Sequence, residues 1–467
     1  MSRADLAVIG GGTAGLVASV GAAGLGAQVV LIEREELGGE CLHTGCVPTK
    51  ALLAAARAAR AVRDADRFGV RVPSGTRVDA AGVWSHVREA MRRAGEADSP
   101  ERMRRLGIEV VRASARFSGP RRVAAAGREI EARAVLIATG SHTRVPSVPG
   151  LASSGYWTHV EAVAVEEIPS SLCIVGGGPV GVEFAMAFAR LGSRVTLLQS
   201  GRRLLPREDA ELSTLIIGVL EAEGVTVHTQ ARMTAAGRGW VEAAGQRYAA
   251  ARILIATGRE ATLTDLELPA AGVQVDRDGV VVDRTLRTTA TGVFAAGDTH
   301  GHLRFTHVAA HEARAVVSNA LFGMRRGIDP ERVPAVTYTD PEVGHLGLSE
   351  AEARQRHGDR VRVYRHAASH LDRAICDGET VGMVKLVADP AGRILGAHCL
   401  GPRAGELIAE VAVAIGVGAR VGDLAQVVHA YPTYAEAVAQ AAGEYWRERL
   451  SGGTLGRVAR WWLGRRR

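Results

Sequence analysis

The stretch from Gly38 to Leu53 reads GGECLHTGCVPTKALL and sets two thiols, Cys41 and Cys46, five residues apart, ahead of Pro48 and Lys50. Such a pair suits a redox-active disulfide, a metal clip, or simply two cysteines near the start of a helix. Along a regular helix, residues five apart fall on nearly opposite faces, too far for a disulfide. Gly45 permits an irregular turn, however, and Pro48 suits the first turn of a helix beginning about there. Lys50 then falls one turn beyond Cys46, on the same face. Of 57 lysines and arginines only two, Lys50 and Lys385, are lysine. A lysine kept where arginine serves everywhere else points to a place that needs a compact ammonium.

The elements that must position these groups begin at the N-terminus. ADLAVIGGGTAGLVASVGAAGLGAQVVLIERE carries Gly10-x-Gly12-x-x-Gly15 after a strand-like run and before a small-residue helix, with Glu33 ending the next strand. The first glycines turn the backbone tightly against a pyrophosphate and the third lets helix and strand approach. The helix N-terminus favours the phosphate charge, and the acid accepts from a ribose. The pattern recurs about 165 residues later as Gly176, Gly178 and Gly181. Two dinucleotide sites follow, one for a prosthetic group and one for a diffusing co-substrate. In the second unit Gln199 stands where a ribose-binding acid is expected, followed by Arg202 and Arg203. With no carboxylate to repel it and two guanidiniums nearby, a 2′-phosphate is accepted, which favours NADPH and leaves NADH open. Further glycine turns end strands at Thr139–Gly140 and Thr257–Gly258, and Asp298 in GVFAAGDTHG is placed to bind a sugar or ribitol hydroxyl.

Composition narrows the class. The 467 residues, 47% hydrophobic and 23% charged, suit two to four soluble globular domains. The formal charge is +7, but no basic block interleaved with aromatics lies in the body of the chain, which argues against nucleic-acid binding. Five scattered cysteines do not make a secreted disulfide framework, so a reducing cytoplasm is expected and any disulfide is catalytic. Cys173 reads as a buried strand residue, and Cys376 and Cys399 as structural. Leu6 to Ile32 carries no charge, yet its glycines and terminal Glu33 fit a strand–turn–helix–strand unit rather than a signal peptide or membrane span.

Together these motifs resemble the class I pyridine nucleotide–disulfide oxidoreductase family, the group of dihydrolipoamide dehydrogenase, glutathione reductase and mercuric reductase, over nearly the whole chain. The resemblance implies an α/β fold with two Rossmann-like dinucleotide-binding domains and an α+β C-terminal dimerisation domain. The implied divisions are an FAD-binding domain over 1–145, an NAD(P)H-binding domain over 146–265, a central domain completing the FAD site over 266–333, an interface domain over 334–450 and a basic tail over 451–467. It further implies a homodimer with the active site shared across the interface. Cys46 becomes the flavin-facing thiol and Cys41 the interchange thiol, while Lys50 sits beside the flavin N5 paired with Glu183. Ala115, Thr139, Gly140, Gly258, Asp298, Thr306 and His307 join the cofactor contacts, the last two through backbone. Zinc is disfavoured because the two thiols lack a companion pair at suitable spacing.

The chain departs from its relatives near VVHAYPTYAEAVAQAA. Where dithiol-oxidising members place a catalytic histidine before the proline, oriented by a glutamate four residues after it, this chain has Tyr431, with Glu436 retained. A phenol with a pKa of about 10 is a weak base at neutral pH, and His429 is the alternative proton acceptor. Mercuric reductases carry tyrosine there and a second one matching Tyr156, and soft thiolates suit Hg(II). Their terminal cysteine pair is missing, because this chain ends in TLGRVARWWLGRRR. That tail reads first as a solvated, frayed terminus and second as a contact with an anionic membrane surface. His302, His307 and His311 do not form a tight ligand set, so no resident metal is expected. The leading reading is an NAD(P)H-dependent reductase of a thiophilic metal or disulfide. The alternatives are a dihydrolipoamide dehydrogenase variant and, in another class, a flavin redox sensor or membrane-surface electron carrier.

Overall fold

The computed structural model describes residues 2–452 and 454–465. The chain divides into two compact units, one running to Ile168 and including Leu254–Pro330, the other comprising Pro169–Ile253 and the chain from Glu331 onward.

In the first unit the apolar run Leu6–Ile9 forms the central strand Ser2–Ile9, parallel to Val29–Glu33 on one side and Arg128–Ile137 on the other. Ile108–Arg112 extends the sheet beyond Val29–Glu33. The long strand Arg128–Ile137 pairs antiparallel with Arg122–Ala125 in its first half and parallel with Val293–Ala295 in its second. Leu6, Val8, Leu31 and Leu136 are fully buried and pack under Ala14, Ala18 and Ala22 of the helix Thr13–Gly24, whose small side chains let it lie close on the sheet. The helix Thr306–Phe322 contributes Ala313 and Val316 to the same core.

In the second unit Ser171–Val175, Arg194–Leu198 and Thr226–His228 run parallel, followed by the antiparallel meander Met233–Gly237, Trp240–Ala243 and Gln246–Ala249. The remainder is an antiparallel sheet in the order Ala335–Thr337, Glu342–Gly347, Ile394–Gly401, Met383–Ala388, Arg362–Ala367. The helices Ala404–Gly416 and Glu436–Gly452 pack against it through Leu407, Ile408, Val438 and Ala441. Cys173 and Cys399 are buried strand residues, as expected, whereas Cys376 is exposed on the short helix Asp372–Asp377 and so is not a packing residue. The expectation of a frayed tail also fails, because Thr454–Gly464 is helical; Arg466 and Arg467 lie outside the described residues. No helix among the described residues is long and apolar enough to cross a membrane.

Candidate active site

The two thiols sit where one helix stops and another starts. Cys41 lies in the short helix Gly39–His43, and Cys46 is the first residue of Cys46–Arg63. Gly45 makes the join: a Cβ there would stand 3.0 Å from the Glu40 carbonyl oxygen. This break removes the geometric objection to pairing, since the residues no longer lie on one regular helix. The Thr306 hydroxyl lies 3.4 Å from each sulfur. The hydrogen bond with Cys46 and the burial of Cys41 push the Cys41 thiol well above its ordinary range, and the Thr306 hydroxyl acts the other way. Thr306 therefore reaches the thiols by its side chain, a role the sequence reading missed when it foresaw only backbone contacts. His307 stacks on Phe305 at 5.2 Å between ring centres, and Lys50 Nζ lies 3.4 Å from Thr49 Oγ1.

Glu40, immediately before Cys41, belongs to a network that the sequence reading did not find. Its carboxylate pairs with Arg259 and lies 2.7 Å from His159 Nε2, while His159 Nδ1 lies 3.0 Å from the Thr143 hydroxyl. Burial alone would push the Glu40 carboxyl up; the His159 hydrogen bond and the Arg259 charge outweigh it and hold the group below its usual value. Arg259 Nε also donates to Ser141 Oγ at 2.8 Å, and that hydroxyl donates to Asp298 Oδ2 at 2.5 Å. Burial raises the Asp298 carboxyl despite these partners. A charged residue between glycines and a cysteine was the available signal, but its partners lie more than 100 residues away.

The nucleotide turns fit the groups expected of them. Gly10 has φ +106°, and a Cβ on Gly15 would stand 1.8 Å from the Gly10 carbonyl oxygen, so the helix packs on the turn only with glycine there. Gly181 meets Gly176 in the same way at 1.9 Å. The helices Thr13–Gly24 and Pro179–Arg190 start at Gly12 and Gly178 without any side-chain cap, which leaves first-turn N–H groups for a phosphate. Glu33 accepts from the Gly11 N–H at 2.5 Å, and Gln199 accepts from the Gly177 N–H at 3.2 Å. Acid and amide thus occupy matching places in two matching turns. Arg202 and Arg203 are exposed beside Gln199, which donates to the Arg203 carbonyl at 3.1 Å. Thr139 donates to the Thr262 carbonyl at 2.7 Å, Gly140 and Gly258 have positive φ, and half-buried Ala115 precedes the strand Arg116–Gly119.

In the second unit, Tyr431 is 71% exposed and donates to Asp372 Oδ2 at 2.9 Å. That bond, with the Asp372 charge, pushes the phenol above its ordinary value, so it holds its proton at neutral pH. Glu436 does not orient it: its carboxylate accepts from the Thr433 N–H at 3.3 Å, leaving Asp372 as the phenol's partner. Both ring nitrogens of His429 are engaged, Nδ1 with the Val427 carbonyl at 3.0 Å and Nε2 with Glu410 at 2.8 Å. Glu183 is buried and accepts from the Tyr338 N–H at 2.8 Å. Tyr156, in the first unit, is half-buried just before Trp157.

Comparison with known proteins agrees with this geometry. Residues 4–313 match the pyridine nucleotide-disulphide oxidoreductase family and residues 333–442 its dimerisation domain. The chain is 37% identical to a dihydrolipoyl dehydrogenase of Bacillus subtilis over 454 residues, covering 93% of this chain and 97% of the relative. It is also 37% identical to a mercuric reductase of Streptomyces lividans over 453 residues, covering 94% and 95%. The HOCl-induced flavoprotein disulfide reductase RclA from Escherichia coli superposes with a TM-score of 0.83 at 28% identity, covering 94% of this chain and 99% of that one. A Cu(II) complex of RclA superposes with a TM-score of 0.84 at 27% identity, covering 95% and 100%. By sequence and by fold, the chain belongs to the class I pyridine nucleotide-disulphide oxidoreductases, a family of FAD-dependent enzymes.

Proposed function

We propose that the protein is a homodimeric, NADPH-dependent reductase that passes electrons through Cys41 and Cys46 to a thiophilic metal ion, Hg(II) first, or to a disulfide. The carrying observation is the thiol pair at the start of a helix, spanned by the Thr306 hydroxyl, in a chain with Tyr431 in place of a catalytic histidine. Bound FAD supplies the two-electron link between nicotinamide and thiols. Gly10, Gly12, Gly15 and Glu33 would hold its pyrophosphate and ribose, Asp298 its ribitol, and Ala115, Thr139, Gly140, Gly258, Thr306 and His307 would line it. Lys50, paired with Glu183, would sit beside its ring.

Gly176, Gly178 and Gly181 would take the coenzyme pyrophosphate, with Gln199, Arg202 and Arg203 accepting a 2′-phosphate. Cys46 would face the flavin and Cys41 would meet the acceptor. Oxidising the dithiol to a disulfide delivers two electrons, reducing an acceptor disulfide to two thiols or Hg(II) to the metal. Tyr431 and Tyr156 would assist ligand exchange at a metal held by the two sulfurs, a task that needs a phenol rather than a base. A second reading, dihydrolipoamide oxidation, is supported by the likeness to a dihydrolipoyl dehydrogenase; His429 would first have to release the Val427 carbonyl or Glu410 to take the proton.

Turnover with NADPH and NADH across Hg(II), Cu(II), glutathione disulfide and lipoamide tests the proposal, comparing wild type with Cys41→Ser and Tyr431→His. Cu(II) joins the panel because RclA has been captured with it. The expected result is NADPH-preferring metal or disulfide reduction that vanishes in Cys41→Ser. Robust dihydrolipoamide oxidation with NAD⁺ would establish the second reading, and acceptor turnover retained in Cys41→Ser would mean direct flavin chemistry.

A further inference from the structure

The helix Thr454–Gly464 lies beyond the dimerisation-domain match, which ends at residue 442. Gly456 is buried, its Cα facing the Leu450 carbonyl so closely that a Cβ would stand 1.9 Å from that oxygen. Along the rest of the helix Val458, Trp461, Trp462 and Leu463 are 49% to 58% exposed, and Arg460 Nη1 donates to the Ser451 carbonyl at 3.1 Å. At 100° per residue Val458, Trp462 and Leu463 share one side, and Arg457 and Arg460 share the other. Trp461 sits at the border, with the Arg465 guanidinium 3.9 Å from its ring centre. From Ser451 to Arg467 the sequence has five arginines and no acid.

We propose that this helix lies in the headgroup layer of an anionic phospholipid membrane, Trp and Leu facing the acyl chains and arginines facing the phosphates, and so holds the enzyme at a membrane surface. An apolar side of Val458, Trp462 and Leu463 opposite Arg457 and Arg460, with Trp461 and Arg465 together at the border, is the pattern of an in-plane helix, and tryptophan prefers the headgroup depth. The helix has 11 residues, too few to cross a bilayer, so it lies on the surface rather than spanning it. Nucleic acid would pair with the arginines but make no use of the apolar side of Val458, Trp462 and Leu463.

The test is flotation of the full-length, flavin-loaded enzyme with phosphatidylcholine vesicles, with and without about 30 mol% phosphatidylglycerol, and binding is expected to be roughly tenfold or more stronger on the anionic vesicles and weakened by salt. Trp461→Glu/Trp462→Glu and Arg457→Glu/Arg460→Glu should each abolish flotation while flavin content and turnover in solution stay unchanged. Equal absence of binding to both vesicles, or binding that survives both double substitutions, overturns the proposal. A wild-type assembly larger than a dimer that the tryptophan substitutions break, without flotation, would assign the face to a second copy. Duplex DNA binding indifferent to those substitutions, again without flotation, would assign the arginines to nucleic acid.

Discussion

The Thr306 hydroxyl lies 3.4 Å from the Cys41 sulfur, although 265 residues separate them in the chain. It is equally close to Cys46, so one side chain touches both atoms of the reactive pair. Because the Cys46 hydrogen bond and burial raise the Cys41 thiol, alkylation of reduced Cys41 by iodoacetamide should accelerate only above the ordinary thiol value of 9.0. Cys46→Ala should move that profile to lower pH by removing the largest cause. Thr306→Val should move it higher by removing a stabiliser of the thiolate. A profile indifferent to both substitutions would refute the arrangement.

Tyr431 carries the second prediction. Asp372→Asn removes the charge that raises the phenol, so the ionisation of Tyr431, read as phenolate absorbance against a Tyr431→Phe blank, should fall toward its ordinary value of 10.0. Any step that needs the protonated phenol should then fail at lower pH in Asp372→Asn than in wild type. Glu436→Gln should move the titration in the same direction but by less, since the Glu436 charge is a smaller cause of the shift than Asp372 and its carboxylate is bound to Thr433 rather than to the phenol.

Coenzyme choice supplies the third. Gln199 matches Glu33 in place and in its bond to the glycine turn. Gln199→Glu should therefore set a carboxylate against a 2′-phosphate while offering NADH a ribose acceptor. One charged hydrogen bond is worth ~1.5–3 kcal/mol, so the ratio of kcat/KM for NADPH over NADH should fall roughly tenfold or more. An unchanged ratio would mean that Arg202 and Arg203 do not face the coenzyme.

The fourth concerns stability. Lys385, 1% exposed, places Nζ 2.9 Å from Asp209 Oδ1 and 2.8 Å from Glu350 Oε2, with Glu211 at 3.4 Å. Asp209 also caps the helix Ala210–Ala222. Lys385→Met leaves the buried Asp209 carboxylate without its cation, while Glu350 and Glu211 keep Arg365, and should cost about 3–5 kcal/mol, read as a lower midpoint in urea. Burial would raise the Asp209 carboxyl, but the Lys385 bonds and the Glu211 N–H outweigh it and hold the group below 3.8. A depressed carboxyl stabilises above its unfolded value and loses that contribution as pH falls through its folded one. Wild type should therefore lose stability progressively below about pH 4 at this site, a loss Lys385→Met should not share.

Much of this protein was legible in contiguous sequence because its cause is local. A glycine that cannot accept a Cβ, as at Gly15 and Gly181, fixes turn, strand and helix within a few residues, so both nucleotide units were readable as strings. Gly45 and Pro48 likewise marked an irregular turn and a helix beginning about there, which the structure starts at Cys46. What the string could not disclose are pairings between side chains far apart in the chain, which depend on how strands are ordered and what is then withdrawn from water. Thr306 against the two sulfurs, Glu40 with Arg259, Tyr431 with Asp372, and Lys385 among Asp209 and Glu350 are all of that kind. Even the rarity of lysine hinted only that Lys385 mattered. Its reason, an ammonium small enough for three carboxylates to close around, exists only once the sheet and the helix cap are brought together.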